Sequence, residues 1–360
     1  MNLLRQEALL VLAALTALAG AVLPASVLRG TPAAAYVSTV ALVAVIVCAS
    51  VRAASHAERI AHRLGDPYGT MILTLSAVLV EVVVLSLVMF HAHSPTLARD
   101  TIYAAVMLDI NGILGLAALL GGIKHGEQSY NDDSARTYSV MILTAMAVSM
   151  VVPEFVPQRA WRAYSIFTIV AMVTLYAVFL RMQTGPHSYF FSYSYPEKRR
   201  KRSERAAQAH PVRAAVALLG ASIVLIGVLA ELMSRSLAAS LAELDVPAAV
   251  PAIVVALISA SPEILTALRA ALANRMQAVV NIALGASLST VILTVPVIEA
   301  LALITGLPFE MAMTPIQTLM VLVTLVVTAI NLNDGQTNAI EGMTHFVLFA
   351  TFLMLAALGI

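Results

Sequence analysis

The chain has 360 residues, of which 60% are apolar or aromatic and only 11% charged, against about 25% charged in an ordinary soluble domain. With a mean hydropathy of +0.89, that much apolar surface does not fit inside one soluble core, and a disordered chain needs the opposite balance. The 21 basic and 20 acidic residues leave a net charge of +1, and Cys48 is the single cysteine. The charge gives no general attraction for nucleic acid, and one cysteine excludes disulfide frameworks, zinc–cysteine clusters and thiol pairs.

A helix needs roughly 20 apolar residues to cross the hydrocarbon of a membrane. Eleven such runs are predicted, at 8–27, 34–53, 69–91, 101–122, 137–156, 162–181, 212–234, 247–268, 278–304, 312–331 and 341–359. They are continuous rather than alternating, so helices are expected and barrel strands are not. The fold class is therefore all-α, a polytopic membrane protein. Met1 to Ala25 has the outline of a signal peptide, but ten further spans make it read as an uncleaved first helix. With the N-terminus placed in the cytoplasm, 16 of the 21 Lys and Arg fall on the cytoplasmic side and 5 on the other, as the positive-inside rule requires.

Residues 182–211 carry the run Lys198-Arg199-Arg200-Lys201-Arg202. The run reads first as a cytoplasmic topology anchor. Docking of 198–205 on anionic lipid heads is the sharper reading. The aromatic stretch Tyr189, Phe190, Phe191, Tyr193 and Tyr195 ahead of it suits a membrane interface.

An ionisable group at mid-membrane costs about 2.5–3.5 kcal/mol on insertion scales, so each is a functional candidate. Glu81 lies in the middle of the third run and Glu263 in the eighth. Asp109 sits in the fourth, Glu231 near the end of the seventh and Glu299 late in the ninth. Asp334, Glu341 and His345 cluster where the last run begins. Thr70, Thr74, Ala77 and Glu81 share one helical face, and Ser259, Glu263, Thr266 and Ala270 share a similar one. Pro262 stands between Ser261 and Glu263, and a proline there is expected to kink or break the helix. Backbone carbonyls freed in a membrane are tolerated only inside protein or along a watery cavity, where they can coordinate a cation.

Glu81 and Glu263 are five spans apart, and an odd offset sends their helices through the bilayer in opposite directions. Segments 31–181 and 212–360 therefore read as two inverted five-helix repeats, joined by the basic linker 182–211 and preceded by an extra helix in 1–30. Inverted repeats with broken helices at the midplane are a secondary-transporter plan. The plainer reading makes each Glu a polar contact that holds helices together. Glu341 and His345, one turn apart, read either as a proton relay or as a helix-start cap beside a packed imidazole. Asp334 reads as a turn residue through its Asp-Gly pair. Glu231 reads equally as lining an entry or lying on the surface near its helix end. Gly112, Gly115 and Gly285 are expected to let helices approach closely.

Several stretches resemble one family. His62-Arg63-Leu64-Gly65-Asp66-Pro67-Tyr68-Gly69, running on to Glu81, resembles the first repeat motif of the calcium/cation:proton exchanger family, in its bacterial calcium/sodium/potassium:proton antiporter branch. Ser261-Pro262-Glu263, followed by Asn274-Arg275-Met276 and Gly285-Ala286-Ser287, resembles the second. Leu119-Leu120-Gly121-Gly122 with Glu127-Gln128-x-Tyr130-Asn131 is similar to the loop closing the first motif, and Ala230-Glu231 to the Ser-Glu ending the seventh helix. Asp334-Gly335-Gln336-Thr337-Asn338-x-x-Glu341-Gly342 resembles the signature Asp-Gly-x-Ser/Thr-Asn-Trp-Leu-Glu-Gly. The departures are specific. The family's Gly-Asn-Ala-x-Glu is Ala77-Val78-Leu79-Val80-Glu81 and Ser259-Ala260-Ser261-Pro262-Glu263 here, so both asparagines are missing. Ser289 stands where Gln is usual.

The resemblance implies eleven helices arranged as one plus five plus five, in a bacterial inner membrane. It implies a cation:proton antiporter exporting Ca²⁺, with Na⁺ or K⁺ as alternative cargo, and with no cofactor beyond the transported ions. Glu81 and Glu263 are the expected cation and proton ligands. Thr74, Ser259, Ser261 and Ser287 would support them, and Asp109, Glu231, Glu341 and His345 would form a secondary acidic path. Proton and cation would compete for the same carboxyls, because burial disfavours the charged form until a cation arrives. A cation channel is the alternative, and an intramembrane enzyme a lesser one. The sequence holds no His-Glu-x-x-His and no Gly-x4-Gly-Lys-Ser/Thr. The chain is therefore expected to be no enzyme and no one-chain pump.

Overall fold

A computed structural model describes residues 7–24, 30–64, 68–92, 94–184, 212–241, 247, 249–306 and 309–360. The basic run and the aromatic stretch of the linker, Gly65 to Pro67 of the first motif, and the side chain of Thr70 lie outside the described residues.

Among the described residues, eleven helices follow the order of the apolar runs. They are α1 (Ala8–Val22), α2 (Pro32–Leu64), α3 (Tyr68–Ala92), α4 (Leu97–His125), α5 (Asp132–Phe155) and α6 (Trp161–Thr184). After the linker come α7 (Val212–Leu241), α8 (Ala249–Leu272), α9 (Met276–Thr305), α10 (Pro315–Asn331) and α11 (Ala339–Ala357). Nine are long and apolar enough to cross a membrane, while α1 and α10 are shorter, at 15 and 17 residues. The caps are local chemistry. Asn131 opens α5 by accepting from the Asp133 N–H. Thr314 and Gln317 form a reciprocal capping box at α10, with Pro315 at its first position, where a missing N–H costs nothing.

The break expected at Pro262 does not occur. Helix α8 runs unbroken through Pro262. Proline has no N–H to give the carbonyl four residues back, which is that of Ile258. The Ser261 hydroxyl donates to that carbonyl at 2.8 Å instead. The carbonyl is satisfied in place, so the helix has no cause to open. The apolar runs are helical, as expected, and outside them lies a two-residue antiparallel pair of β1 (Gln128–Ser129) and β2 (Gln336–Thr337).

The chain divides into two compact units, Met1–Ser94 with Arg199–Pro262, and Pro95–Lys198 with Glu263–Ile360. The first unit holds α1, α2, α3, α7 and the start of α8. Helix α2 lies along α7, α3 packs on both, and α1 packs on α2 and α7. At the start of α1, buried Glu7 accepts hydrogen bonds from Arg52 and lies 3.2 Å from Nε2 of fully buried His56. Burial works against the charge on Glu7, but the hydrogen bond and charge of Arg52, with His56 beside it, hold the carboxyl below its ordinary range.

The second unit holds α4, α5, α6, the end of α8, α9, α10 and α11. Its centre is α4 and α9: 78% and 61% of their apolar windows are buried, against 22–44% in the other seven spans. Both carry wide π-turns, at Met107–Leu114 and Thr290–Thr294, and α5 carries another at Ala147–Val151. Helix α4 runs along α11 with backbone nearly touching backbone. A Cβ on Gly115 would stand 2.8 Å from Cβ of His345, and one on Gly342 would strike the Leu119 backbone. A Cβ on Gly112 would also be tight, 3.3 Å from Phe349, whereas one on Gly285 would make only ordinary contact with Tyr138 at 3.7 Å.

Two of the family-like stretches meet at one end of this unit. Gln128 pairs with Thr337 and Ser129 with Gln336. The Tyr130 N–H donates to the Gly335 carbonyl at 2.9 Å, and its hydroxyl to the Gln336 carbonyl at 3.1 Å. Burial, then the nearby carboxylates Asp334, Glu341 and Asp132, push the Tyr130 hydroxyl up from its ordinary value. Gln128 donates to the Ala271 carbonyl and to Asn274, and Gln277 accepts from the Asn131 N–H. These motif residues tie the ends of α4, α8 and α11 together.

Candidate functional site

Glu81 is 5% exposed, in the middle of a 25-residue helix that contains no Lys or Arg. Thr74, two turns earlier on the same face, is half-buried. Glu263 is half-buried and opens the stretch of α8 that belongs to the second unit, while Glu81 belongs to the first. The Ser259 hydroxyl donates to the Ala256 carbonyl at 3.0 Å, and Ser261 to that of Ile258. A hydroxyl that donates its proton still has lone pairs with which to meet a cation.

Within the second unit the structure brings several of the expected residues together. Asp109, 3% exposed on the α4 π-turn, accepts from the Ser287 hydroxyl of α9 at 3.2 Å. Two residues on, fully buried Asn111 donates to the Thr324 hydroxyl at 2.7 Å, and its oxygen lies 3.0 Å from Nδ1 of His345. With the Asn111 amide nitrogen given to Thr324, its oxygen must accept, so His345 carries its proton on Nδ1. Nε2 of His345 is then a buried acceptor with no hydrogen-bond partner among the described residues.

Two other expected residues have local partners. Glu341 accepts from the Asn338 side chain at 3.0 Å, in the first turn of α11. An acidic residue there complements the helix dipole. Glu231 is partly exposed on α7, bonded to Arg235 at 2.6 Å and 3.2 Å from His91.

Asn111 and Thr324 escaped the sequence reading. The available signal was a carboxamide inside an apolar run, which burial penalises unless it is hydrogen-bonded.

The family model for the sodium/calcium exchanger protein matches this chain twice, over residues 33–185 and 214–358. The chain is 32% identical over 311 residues to the putative ionic transporter y4hA of Sinorhizobium fredii, covering 84% of each. It is 32% identical over 308 residues to the sodium-potassium/proton antiporter ChaA of Escherichia coli, covering 83% of each. Among solved structures, native YfkE superposes with a TM-score of 0.76 at 17% identity, over 97% of this chain and 99% of that one. The H⁺/Ca²⁺ exchanger CAX superposes with a TM-score of 0.69 at 14% identity, over 98% and 89%. The structural likeness speaks for the fold alone; the family model and the two relatives go further, and the chain belongs to the sodium/calcium exchanger protein family.

Proposed function

We propose that this chain is a secondary-active cation:proton antiporter in which Glu81 and Glu263 bind the transported cation and the protons it displaces. The observation that carries the reading is the Glu81 carboxyl, 5% exposed at the centre of an apolar span, in a chain of this family. Such a group is costly in a membrane unless it is used. The chain is a transporter and not an enzyme. The names of its relatives include a sodium-potassium/proton antiporter and Ca²⁺/H⁺ antiporters, so the cargo is Ca²⁺, Na⁺ or K⁺.

Calcium takes about 6–8 oxygens. Among the described residues no group of three His, Cys, Asp or Glu comes together, so two carboxylates need help. Hydroxyls of Thr74, Ser259, Ser261 and Ser287, with water, are the supporting ligands. Asp109, Glu231, Glu341 and His345 serve proton movement around them. An arriving cation favours the ionised carboxyls and expels their protons, and the coupling follows from that competition.

The repeat reading draws support from two sides. The family model matches each half separately. Each half also divides alike: its first helix and most or all of its second lie in the first unit, and the rest lies in the second unit. The N-terminus faces the cytoplasm of a bacterial inner membrane, on the distribution of Lys and Arg. The linker segment 198–205 meets anionic lipid there.

The test uses proteoliposomes holding an acid-inside pH gradient at clamped potential. Ca²⁺, Na⁺ or K⁺ is added outside and the internal pH is followed with a dye. Cation-triggered alkalinisation, lost in Glu81→Gln and in Glu263→Gln, is the expected result. Cation flux without any pH response would overturn the antiporter reading and leave a channel.

A further inference from the structure

Glu299 is 2% exposed on α9, and its Oε2 has no hydrogen-bond partner among the described residues. A bare carboxylate there would cost several kcal/mol of desolvation. The same group as a neutral acid costs about 1–3 kcal/mol for an unpaired polar group. The acid form is therefore the resting one. Even that form is dearer than a leucine of similar size, so packing alone gives no reason for a carboxyl at this position.

Two more buried polar groups of the same unit are left open among the described residues. Thr294 closes the π-turn that leads into the Val295–Thr305 segment of Glu299. Thr101 lies on the first part of α4, which packs against that π-turn. Both are buried, and neither hydroxyl has a hydrogen-bond partner among the described residues. A helical threonine ordinarily gives its hydroxyl to the carbonyl four residues back, as Thr328 does here at 2.7 Å. Thr294 and Thr101 do not. Buried polar groups left open in this way are where proteins hold internal water.

Among the described residues, no Lys, Arg or His is paired with Glu299 to hold it charged. Helix α6 packs on both the π-turn and the segment after it. Its nearest titratable group is Tyr164, whose hydroxyl donates to the Val148 carbonyl at 2.6 Å. Arg159, Arg162 and Glu154 are exposed. Arg99, at the start of α4, is engaged with Asp100 and the Ala312 carbonyl, with Glu310 at 4.0 Å. Helix α9 ends at Thr305, six residues beyond Glu299, or about 9 Å of helix. The carboxyl therefore lies near one end of its span, unlike Glu81.

We propose that Glu299 is a second proton-binding site of the transport cycle, in which a buried carboxyl near the Gly306 end of α9 trades its proton with internal water. This rests on the antiporter reading. In the step, the carboxyl O–H bond breaks, the electron pair stays on the carboxylate, and the proton passes to water. The charge is short-lived and is cancelled by reprotonation.

The test is infrared difference spectroscopy on the full-length protein in liposomes, paired with the exchange assay. The wild type, Glu299→Gln, and Glu299→Gln combined with Glu81→Gln and Glu263→Gln are compared, beside the Glu81→Gln/Glu263→Gln parent. A protonated-carboxyl band that weakens at alkaline pH should be present in the parent and missing once Glu299 is replaced. In exchange, Glu299→Gln should leave the half-saturating cation concentration unchanged and lower the maximal rate on the order of 100-fold, the low end for a positioned proton-transfer group. Glu299→Asp, which keeps the acid, should restore part of that rate, and it carries the test if the glutamine variant fails to fold. A pH-invariant band, or normal exchange in Glu299→Gln, would overturn this role alone. Absence of cation-driven proton movement in the wild type would overturn the antiporter reading and this role with it.

Discussion

The two units bury polar groups in different ways. In the first, a buried charge cluster sits at a helix end, where Glu7 gathers Arg52 and His56. Its long helices carry regular α-turns from end to end. In the second, Asp109, Asn111, Glu299 and His345 are buried within the spans, and three helices widen into π-turns. Irregular backbone at membrane depth is tolerated only where protein or water covers it. The second unit supplies that cover, because α4 and α9 are its most enclosed helices. The contrast teaches where a chain like this keeps most of its interior chemistry: three of those four groups stand on the most enclosed helices, α4 and α9, and His345, on the less enclosed α11, reaches Asn111 of α4. Glu81 is the exception on the first unit, and that makes it the more informative carboxyl.

The sharpest way to break the comparison is through glycine. A Cβ on Gly342 would drive into the Leu119 backbone, which has nowhere to retreat, while Gly220 of α7 has nothing within 4 Å. Gly342→Val should abolish folded, monodisperse protein in detergent, as judged by size exclusion and thermal unfolding. Gly220→Ala should leave both unchanged. A folded Gly342→Val protein would mean that α4 and α11 can separate, and the second unit would lose its claim to being the tighter one.

A smaller effect is expected at the anchor of the first unit. Glu7→Gln removes a carboxylate that accepts charged hydrogen bonds, each worth about 1.5–3 kcal/mol. The variant should unfold at a lower temperature than the wild type at neutral pH. The sign with pH follows from the depressed carboxyl. Its stabilisation is fully present above the ordinary value of 4.5 and is lost as pH falls through the lower folded value. The gap between wild type and Glu7→Gln should therefore hold from neutral pH to about 5 and close below it. A gap that persists in acid would assign the anchor to packing rather than charge.

Much of this architecture was legible because membrane length and apolar composition leave little choice. The misjudged boundaries are those where polar residues stay helical. The apolar run predicts 34–53 for the second span, yet α2 continues to Leu64, because Arg52 and His56 turn inward to Glu7. The fifth span begins at Asp132 rather than 137, since Asn131 caps a first turn made of Asp132 and Asp133. Glu81 stood out as the lone acid of its run. Asn111 and Thr324 did not, because their partnership joins residues 213 positions apart. The π-turns leave no periodic signature that composition can reveal.

The weakest effect lies in α8, the helix that both units share. Ser261 carries two readings at once, and they separate by measurement. As a structural group it supplies the hydrogen bond that Pro262 cannot, to the Ile258 carbonyl. Ser261→Ala then leaves that carbonyl unpaired, at a cost of about 1 kcal/mol. Unfolding should shift by a few degrees while the half-saturating cation concentration stays put. As a cation ligand, the same oxygen would raise that concentration when lost, with little change in stability. Pro262→Ala sharpens the distinction. It restores an N–H to the same carbonyl and makes the serine redundant for the helix, so in the Pro262→Ala background the stability cost of Ser261→Ala should vanish. Any cation effect would survive there. A stability loss undiminished in that background would show that Ser261 is not the substitute for the missing proline N–H, and the continuity of α8 would need another cause.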